Sequence, residues 1–452
     1  MKAGILLAIA LLFCIPGFSQ KNGPSPFTVG AAKVDMTPAK EDLPTGFSRI
    51  NDNLYCRAIV IENETTSAAL VSVDQGMVRN ESYNKWTAEI EKETGIPAQN
   101  IFISASHTHG APFGDIAKAD FAVVESVKKA HSKLKPAQLS YNTGLCYVNI
   151  NRDVIDPETR LWSQGPNYHG PSDKTVAVIT FRDMSGEPIA VYYNYAMHAN
   201  TMFLSGAISA DFPGTTSKYV EEYYGNNLVA LFSSGAAGDQ NPISAMPMMN
   251  VGRKKSEALL ESGKASNLPE AIMMASSVSN SELNIDPGAL ARQSQMIESL
   301  GQILGEEILR TMSLPERVEA AIAILASQKT VTCPGRQRTD VGNREGKPGS
   351  YVDGDPVNIK LSLLQLGDVA ICGVNAEVYN IIAQRLKEES PLTKTIFASI
   401  TNGASNSGYI PNDDAFQRYT FQVLGSRLKP NCAETSIVNG LVELMEDTTS
   451  EF

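Results

Sequence analysis

Five times along this chain an apolar, β-like run stops and a polar residue able to bind a metal or move a proton follows at once. The runs cover residues 101–104, 189–195, 228–232, 369–373 and 395–400. After them come, in order, His107 with His109, His198, the loop at 233–242, Glu377 and Tyr409. Short apolar runs bounded by turn residues suit strands buried on both faces, as in a sheet covered by helices. Ligands in open α/β sheets gather beyond the carboxyl ends of the strands. The repetition therefore predicts one site, built from five loops at one sheet edge.

The remaining pattern fits that architecture. Residues 27–38 alternate like a strand and end in a proline turn, and strands at 54–61 and 68–73 are separated by a hairpin-like interruption at 62–65. A helix over 81–94 leads into the 101–104 run, a β-α-β crossover that requires parallel pairing. The expected fold class is α/β: a mixed, partly parallel β-sheet flanked by helices, with the metal site at the carboxyl ends of strands. Residues 243–288 lack sheet character and read as an insertion or lid. A long amphipathic helix at 290–312 follows, then β runs at 320–326 and 357–366 flanking a Gly- and Arg-rich loop from 334 to 354, and a helix-like stretch at 434–446. No repeat or low-complexity linker divides residues 20–452, so one catalytic domain is expected.

Lys2, the apolar stretch 5–15 and the small-x-small ending Gly17-Phe-Ser19 form a secretory signal peptide over residues 1–19, too short for a stop-transfer span. Phe13 before Cys14 argues against lipoprotein anchoring. The expected protein is soluble and exported, to the periplasm or beyond, with no further membrane span. Its net charge of −11 is spread along the chain without a basic stripe, which argues against nucleic acid and against electrostatic docking to anionic lipid. Five cysteines follow the leader, an odd number. One intramolecular disulfide and simple apolar burial of the thiols are both open.

His107-Thr108-His109 closes the first run, and strand alternation would aim both imidazoles at one point, as zinc requires. Each candidate also has an ordinary reading. A lone pair of this kind can be hydrogen-bonded strand-end histidines, His198 a strand cap, Glu377 an acid in the first turn of a helix, and Tyr409 a loop aromatic on the core. Catalytic zinc commonly takes three or so such ligands and keeps a position for water or substrate.

The same residues resemble a known family. Val29-Gly-Ala-Ala-Lys-Val-Asp-Met-Thr-Pro38, Arg57-Ala-Ile-Val-Ile61, Val71-Ser-Val-Asp-Gln-Gly-Met77, Ser106-His-Thr-His109, Asn149-Ile-Asn-Arg152 and Ser209-Ala-Asp-Phe-Pro-Gly214 are similar to motifs of the neutral/alkaline non-lysosomal ceramidases. So are Gly238-Asp239 with Pro242, Ala376-Glu377 and Ser407-Gly-Tyr409. These are zinc amidohydrolases that split ceramide into sphingosine and fatty acid. The resemblance implies that His107 binds Zn2+, with His198, Glu377 and Tyr409 completing the shell. It implies that His109 and Arg152 contact substrate or the developing oxyanion, and that Asp239 is the acid of the family's Gly-Asp-x-Ser-Pro loop. In that loop the family's serine falls on Asn241, with Ser244 out of register. No counterpart of the family's C-terminal immunoglobulin-like domain is expected within these residues.

An amide side chain cannot be a nucleophile, so the expected chemistry is attack by metal-activated water, with His109 as proton shuttle, Arg152 as oxyanion donor and Asn241 as a hydrogen-bonding group. The expected function is that of an exported zinc-dependent hydrolase of an N-acyl amide on a small acylated substrate. Met246, Met248, Met249 and the Phe203-Leu204 loop would favour a lipid. Arg336 and Arg338 would favour the alternative, a deacylase of polar substrates such as acylated sugars. A further alternative is a binding relative that lost turnover with the serine.

Overall fold

The computed structural model describes residues 23–112, 116–244, 255–256, 258–265, 271, 274–275, 287–315, 317–340 and 345–449. The leader at 1–19 and most of the 243–288 segment, with Met246, Met248 and Met249, lie outside them.

Strand β1 (Ser25–Asp35) pairs antiparallel with β2 (Tyr55–Asn63), and β2 with β3 (Ser67–Val73). The turn between β2 and β3 closes on Asn63 Oδ1, which accepts the N–H groups of Thr65 and Thr66 at 3.0 Å. Helix α1 (Asn80–Thr94) returns the chain so that β4 (Ile101–Ala105) lies parallel to β3, the crossover expected from the sequence. After α2 (Ala119–His131) come β5 (Lys135–Leu145), β6 (Asn149–Ile155), β7 (Trp162–Asn167), β8 (Thr175–Asp183) and β9 (Pro188–Tyr195). Helix α3 (Asp211–Tyr223) then leads to β10 (Val229–Ser234), parallel to β9, and to the short β11 (Gln240–Pro242). The large sheet runs β10-β9-β8-β5-β1-β2-β3-β4, and β11-β6-β7 form a small separate one.

Helix α4 (Pro287–Met312) precedes a second large sheet, β12 (Ile324–Arg338), β13 (Tyr351–Leu366), β14 (Val369–Val374) and, beyond the short β15 (Glu377–Val378) and α5 (Asn380–Glu389), β16 (Lys394–Ser399) parallel to β14. Strand β17 (Tyr409–Ile410) pairs with β15, and α6 (Ala433–Thr449) closes the fold.

The expected mixed, partly parallel sheet is thus present, and a second sheet packs on it. Side-chain alternation shows why. Phe102, Ile59 and Ile61 on one sheet share an apolar cluster with Ile371, Leu364 and Ile396 on the other. Their neighbours Ile101, Ile103 and Val60 point the opposite way, onto Trp86 and Ile90 of α1 and Val123 and Val127 of α2. In the second sheet Ala370, Cys372 and Val374 turn outward to Ile382 of α5 and Leu441 of α6. Helices α3 and α4 cover Val191 and Tyr193 in the same way. Central strands therefore have no wet face, and their sequences read as unbroken apolar runs. Four layers result, with helices outside two sheets.

Three local expectations are corrected. The 334–354 stretch is not a loop, because β12 and β13 continue as a paired ribbon to Arg338 and Tyr351. Glu377 does not lie in a helix; its backbone pairs with Tyr409 in parallel register, and α5 starts at Asn380. Finally, β4 ends at Ala105, and His107 has φ +60°, in the left-handed region, so the two histidines converge through a turn rather than by strand alternation. The open cysteine question resolves into both alternatives: Cys333 and Cys432 form a disulfide between β12 and the start of α6, and Cys56, Cys146 and Cys372 are buried thiols.

Candidate metal centre and active site

The two sheets are stitched together at one end. Asn194 Nδ2 of β9 donates to the Phe397 carbonyl of β16 at 3.0 Å, and Ser104 of β4 bridges Thr401 just past β16. The Asn402 N–H donates to the Ile103 carbonyl at 2.9 Å. The carboxyl ends of β4, β9, β10, β14 and β16 consequently open onto one place.

There His107 Nε2 lies 3.2 Å from His198 Nε2, and Glu377 Oε2 lies 3.2 Å from the first and 3.1 Å from the second. Tyr409 Oη is 3.5 Å from His198 Nε2. Both imidazoles have their Nδ1–H committed to a main-chain carbonyl at 2.6 Å, His107 to Gly76 and His198 to Ala237. That fixes the tautomer and leaves each Nε2 with a lone pair directed at the other donors. Lone pairs so close together call for a cation. Their separations match the edge, about 3.3 Å, of a tetrahedron of donors at roughly 2.0 Å from zinc.

The charges in this group act strongly on one another: burial opposes ionisation of His107, but Glu377 outweighs it and raises the imidazole's pKa, so a proton and a metal would compete for the same Nε2. Burial opposes ionisation of Glu377, yet His107 and His198 outweigh it and hold the carboxyl well below its usual range. Burial, then Arg152, pushes His198 down to about 4. Burial and Glu377 raise Tyr409. The His107 loop is itself held by a buried ion pair: Arg57 donates to Asp74 at 3.2 Å and to Glu221 at 2.9 Å, fixing the chain just before Gly76.

His109 adds a third, half-buried imidazole, its ring centroid 4.9 Å from that of His107, and the three histidines alone form a group that could hold a metal ion. The tighter set is the one containing Glu377, because its donor atoms lie 3.1–3.2 Å apart. His109 instead packs edge-on against Phe203 at 5.3 Å. Burial, followed by repulsion from the other two histidines, keeps it neutral. Beyond it opens a cavity of about 270 Å³ lined by Phe47, Ala111, Met202, Phe203 and Leu204. Leu259, Ala265, Ala271 and Ala275, described parts of the 243–288 segment, pack behind Leu204.

Arg152, on β6, is buried with its guanidinium carbon 5.4 Å from the Tyr409 ring centroid and 5.2 Å from that of Phe421. It donates to Asn241 Oδ1 at 3.2 Å and to the Gly238 carbonyl at 2.5 Å. Gly238 must be glycine, since a Cβ would sit 2.9 Å from the Val378 carbonyl. Asn241 lies on β11 beside Gln240, whose carbonyl accepts the His198 N–H at 3.2 Å. Asp239 is turned to other work: its two carboxylate oxygens accept from the Asn380 N–H and Asn151 Nδ2, both at 2.8 Å. In this arrangement its carboxylate braces the loop. Arg336 and Arg338 belong to the β12–β13 ribbon, the first stacked 3.9 Å over Tyr351 and the second bound to Asp340 at 2.7 Å. Sequence reasoning missed Asn200, whose Nδ2 donates to Asn241 Oδ1 at 3.0 Å; its position two residues after His198 was the available signal.

The profile of the neutral/alkaline non-lysosomal ceramidase N-terminal family matches residues 27–259. The chain belongs to this family. Neutral ceramidase A of Dictyostelium discoideum is 25% identical over 269 residues, 51% of this chain and 38% of that protein. Neutral ceramidase of Pseudomonas aeruginosa is 26% identical over 250 residues, 48% of this chain and 37% of that protein. The matched stretch therefore spans well under half of these relatives. A solved ceramidase complexed with C2 superposes with a TM-score of 0.67 at 15% identity, covering 95% of this chain and 76% of the other. The crystal structure of neutral ceramidase from Pseudomonas aeruginosa gives 0.66 at 16%, covering 94% and 75%. The fold likeness thus extends past the 27–259 match to the regions carrying Glu377 and Tyr409.

Proposed function

We propose that this ceramidase-family chain is an exported, zinc-dependent hydrolase of an N-acyl amide, of the kind that converts ceramide to sphingosine and a fatty acid. The observation that carries the reading is the convergence of His107, His198, Glu377 and Tyr409, with donor atoms 3.1–3.5 Å apart and both Nδ1–H groups anchored. When bound, zinc would supply a Lewis acid for the carbonyl and lower the pKa of water from ~15.7 toward ~7. His109, kept neutral by burial beside the other two histidines, would take and return a proton in this reading. Arg152, buried and cationic, is the group to balance charge developing on the carbonyl oxygen. Asn241 stands where the family's serine would and can donate from its amide. Asp239 holds the loop carrying Asn241 and Gly238.

The cavity beside His109 supports an apolar acyl or sphingoid chain, with Phe203 and Leu204 contributing to its wall. The groups offered for the acylated-sugar alternative are already engaged, Arg336 by the carbonyls of Val423 and Ser426 and Arg338 by Asp340, which favours the lipid reading. Metal analysis with a hydrolysis screen of N-acyl sphingosines and acylated sugars is the deciding experiment. The expected result is about one zinc per chain and release of fatty acid from the N-acyl sphingosines. Zinc binding without turnover of any acyl substrate would instead identify a binding relative.

A further inference from the structure

Two carboxamides beside the candidate metal centre have their donor and acceptor ends fixed by a third residue. Arg152 Nη1 lies 3.2 Å from one terminal atom of Asn241, and a guanidinium only donates, so that atom is the amide oxygen. The same oxygen accepts from the Nδ2–H of Asn200 at 3.0 Å. The polarity set by Arg152 passes through both amides: Asn241 retains Nδ2 as a donor, and Asn200 retains Oδ1 as an acceptor. Two carboxamides can close a cyclic pair with two hydrogen bonds, yet only one forms here. Asn200 Oδ1 is buried with no hydrogen-bond partner among the described residues, an arrangement that native structures avoid unless a ligand or water completes it.

Both amides adjoin the reacting centre. Asn200 follows His198 by two residues, and its backbone carbonyl accepts, at 3.2 Å, the N–H of Phe203, a residue that lines the apolar cavity. Asn241 follows Gln240, the residue bonded to the His198 backbone. We propose that Asn200 and Asn241 read a secondary amide, Asn200 Oδ1 accepting the substrate N–H and Asn241 Nδ2 donating to its carbonyl oxygen. The inference rests on the N-acyl amide reading and narrows it to substrates with an intact N–H. N-alkylated amides and esters of the same shape leave the buried Asn200 oxygen unmet, the circumstance in which polar sites discriminate most strongly.

The test reads binding apart from turnover. N-hexyl-N′-butylurea keeps a carbonyl and N–H groups and resists cleavage, and its N,N′-dimethyl derivative replaces both donors with methyl groups. By calorimetry on the zinc-supplied full chain, the N–H urea is expected to bind at least about tenfold more tightly, and Asn200→Ala to reduce the ratio to within about twofold. Equal affinities in the parent protein overturn the proposal without needing any variant. So do failure to bind either urea and an Asn200→Ala chain that weakens both ureas equally. N–H selectivity in a chain that hydrolyses nothing supports the inference while removing the hydrolase reading. Equal hydrolysis of an amide, its N-methyl form and the matching ester removes the inference and keeps the hydrolase.

Discussion

At the scale of single residues, Asn241 separates the possible chemistries. If it donates a hydrogen bond to the reacting carbonyl, Asn241→Ala should lower kcat by ~10- to 1,000-fold without abolishing it. Asn241→Ser restores the family's loop. Strong ceramide hydrolysis appearing only in that variant, with the parent inert, would show that the natural chain is not an enzyme. Asp239 gives a prediction of a different kind. Burial, reinforced by nearby Asp153, raises its pKa from 3.8 to about 6. A carboxyl whose pKa is raised on folding stabilises the protein below pH 3.8, and that contribution is lost as pH rises toward about 6. Asp239→Asn has nothing to ionise, so its stability relative to the parent should improve between pH 4 and 7 by on the order of 2–3 kcal/mol. Denaturant melts at the two pH values measure this; a gap between the two proteins that does not change with pH refutes it.

At the scale of elements, the strands and crossovers were legible because each is a local pattern. The five apolar runs became β4, β9, β10, β14 and β16, and the loops after them do meet. What sequence could not yield was how His107 and His109 converge, since that depends on one left-handed residue, and the division of strands between two sheets, since a strand buried on both faces looks alike in either. The β12–β13 ribbon looks like a loop in sequence because Gly335, Gly354 and charged residues conceal its pairing. Asn200 went unnoticed because its importance lies in a bond to Asn241, distant in sequence. The disulfide belongs to this scale too. Joining Cys333 to Cys432 closes a loop with a sequence separation of 99 and ties β12 to α6. Cys432→Ser should therefore reduce unfolding free energy by ~2–4 kcal/mol. Zinc content should stay unchanged, because the bond secures the outer face of the second sheet rather than the strand ends; loss of metal in this variant would contradict that separation.

At the scale of the whole molecule, the candidate donors are divided between the two sheets. His107 and His198 follow β4 and β9 of the first, and Glu377 and Tyr409 follow β14 and β16 of the second. A metal held by all four would cross-link the sandwich at the end where Asn194, Ser104 and Asn402 already join it. Anything bound by the folded state alone stabilises it, by about 2.7 kcal/mol at a free concentration 100 times Kd. Added zinc should therefore raise Tm by several degrees, and chelation should reverse the rise. His107→Ala or His198→Ala should abolish the zinc-dependent part, each removing one of four donors. Glu377→Gln should reduce it less, since the amide oxygen can still coordinate. His109→Ala separates the two possible ligand sets. Its ring is packed against Phe203, outside the tight group containing Glu377, so this variant should keep the zinc-dependent rise while losing turnover. A Tm that ignores zinc in the parent would end the metal assignment, and loss of the rise in His109→Ala would shift it to the three-histidine set.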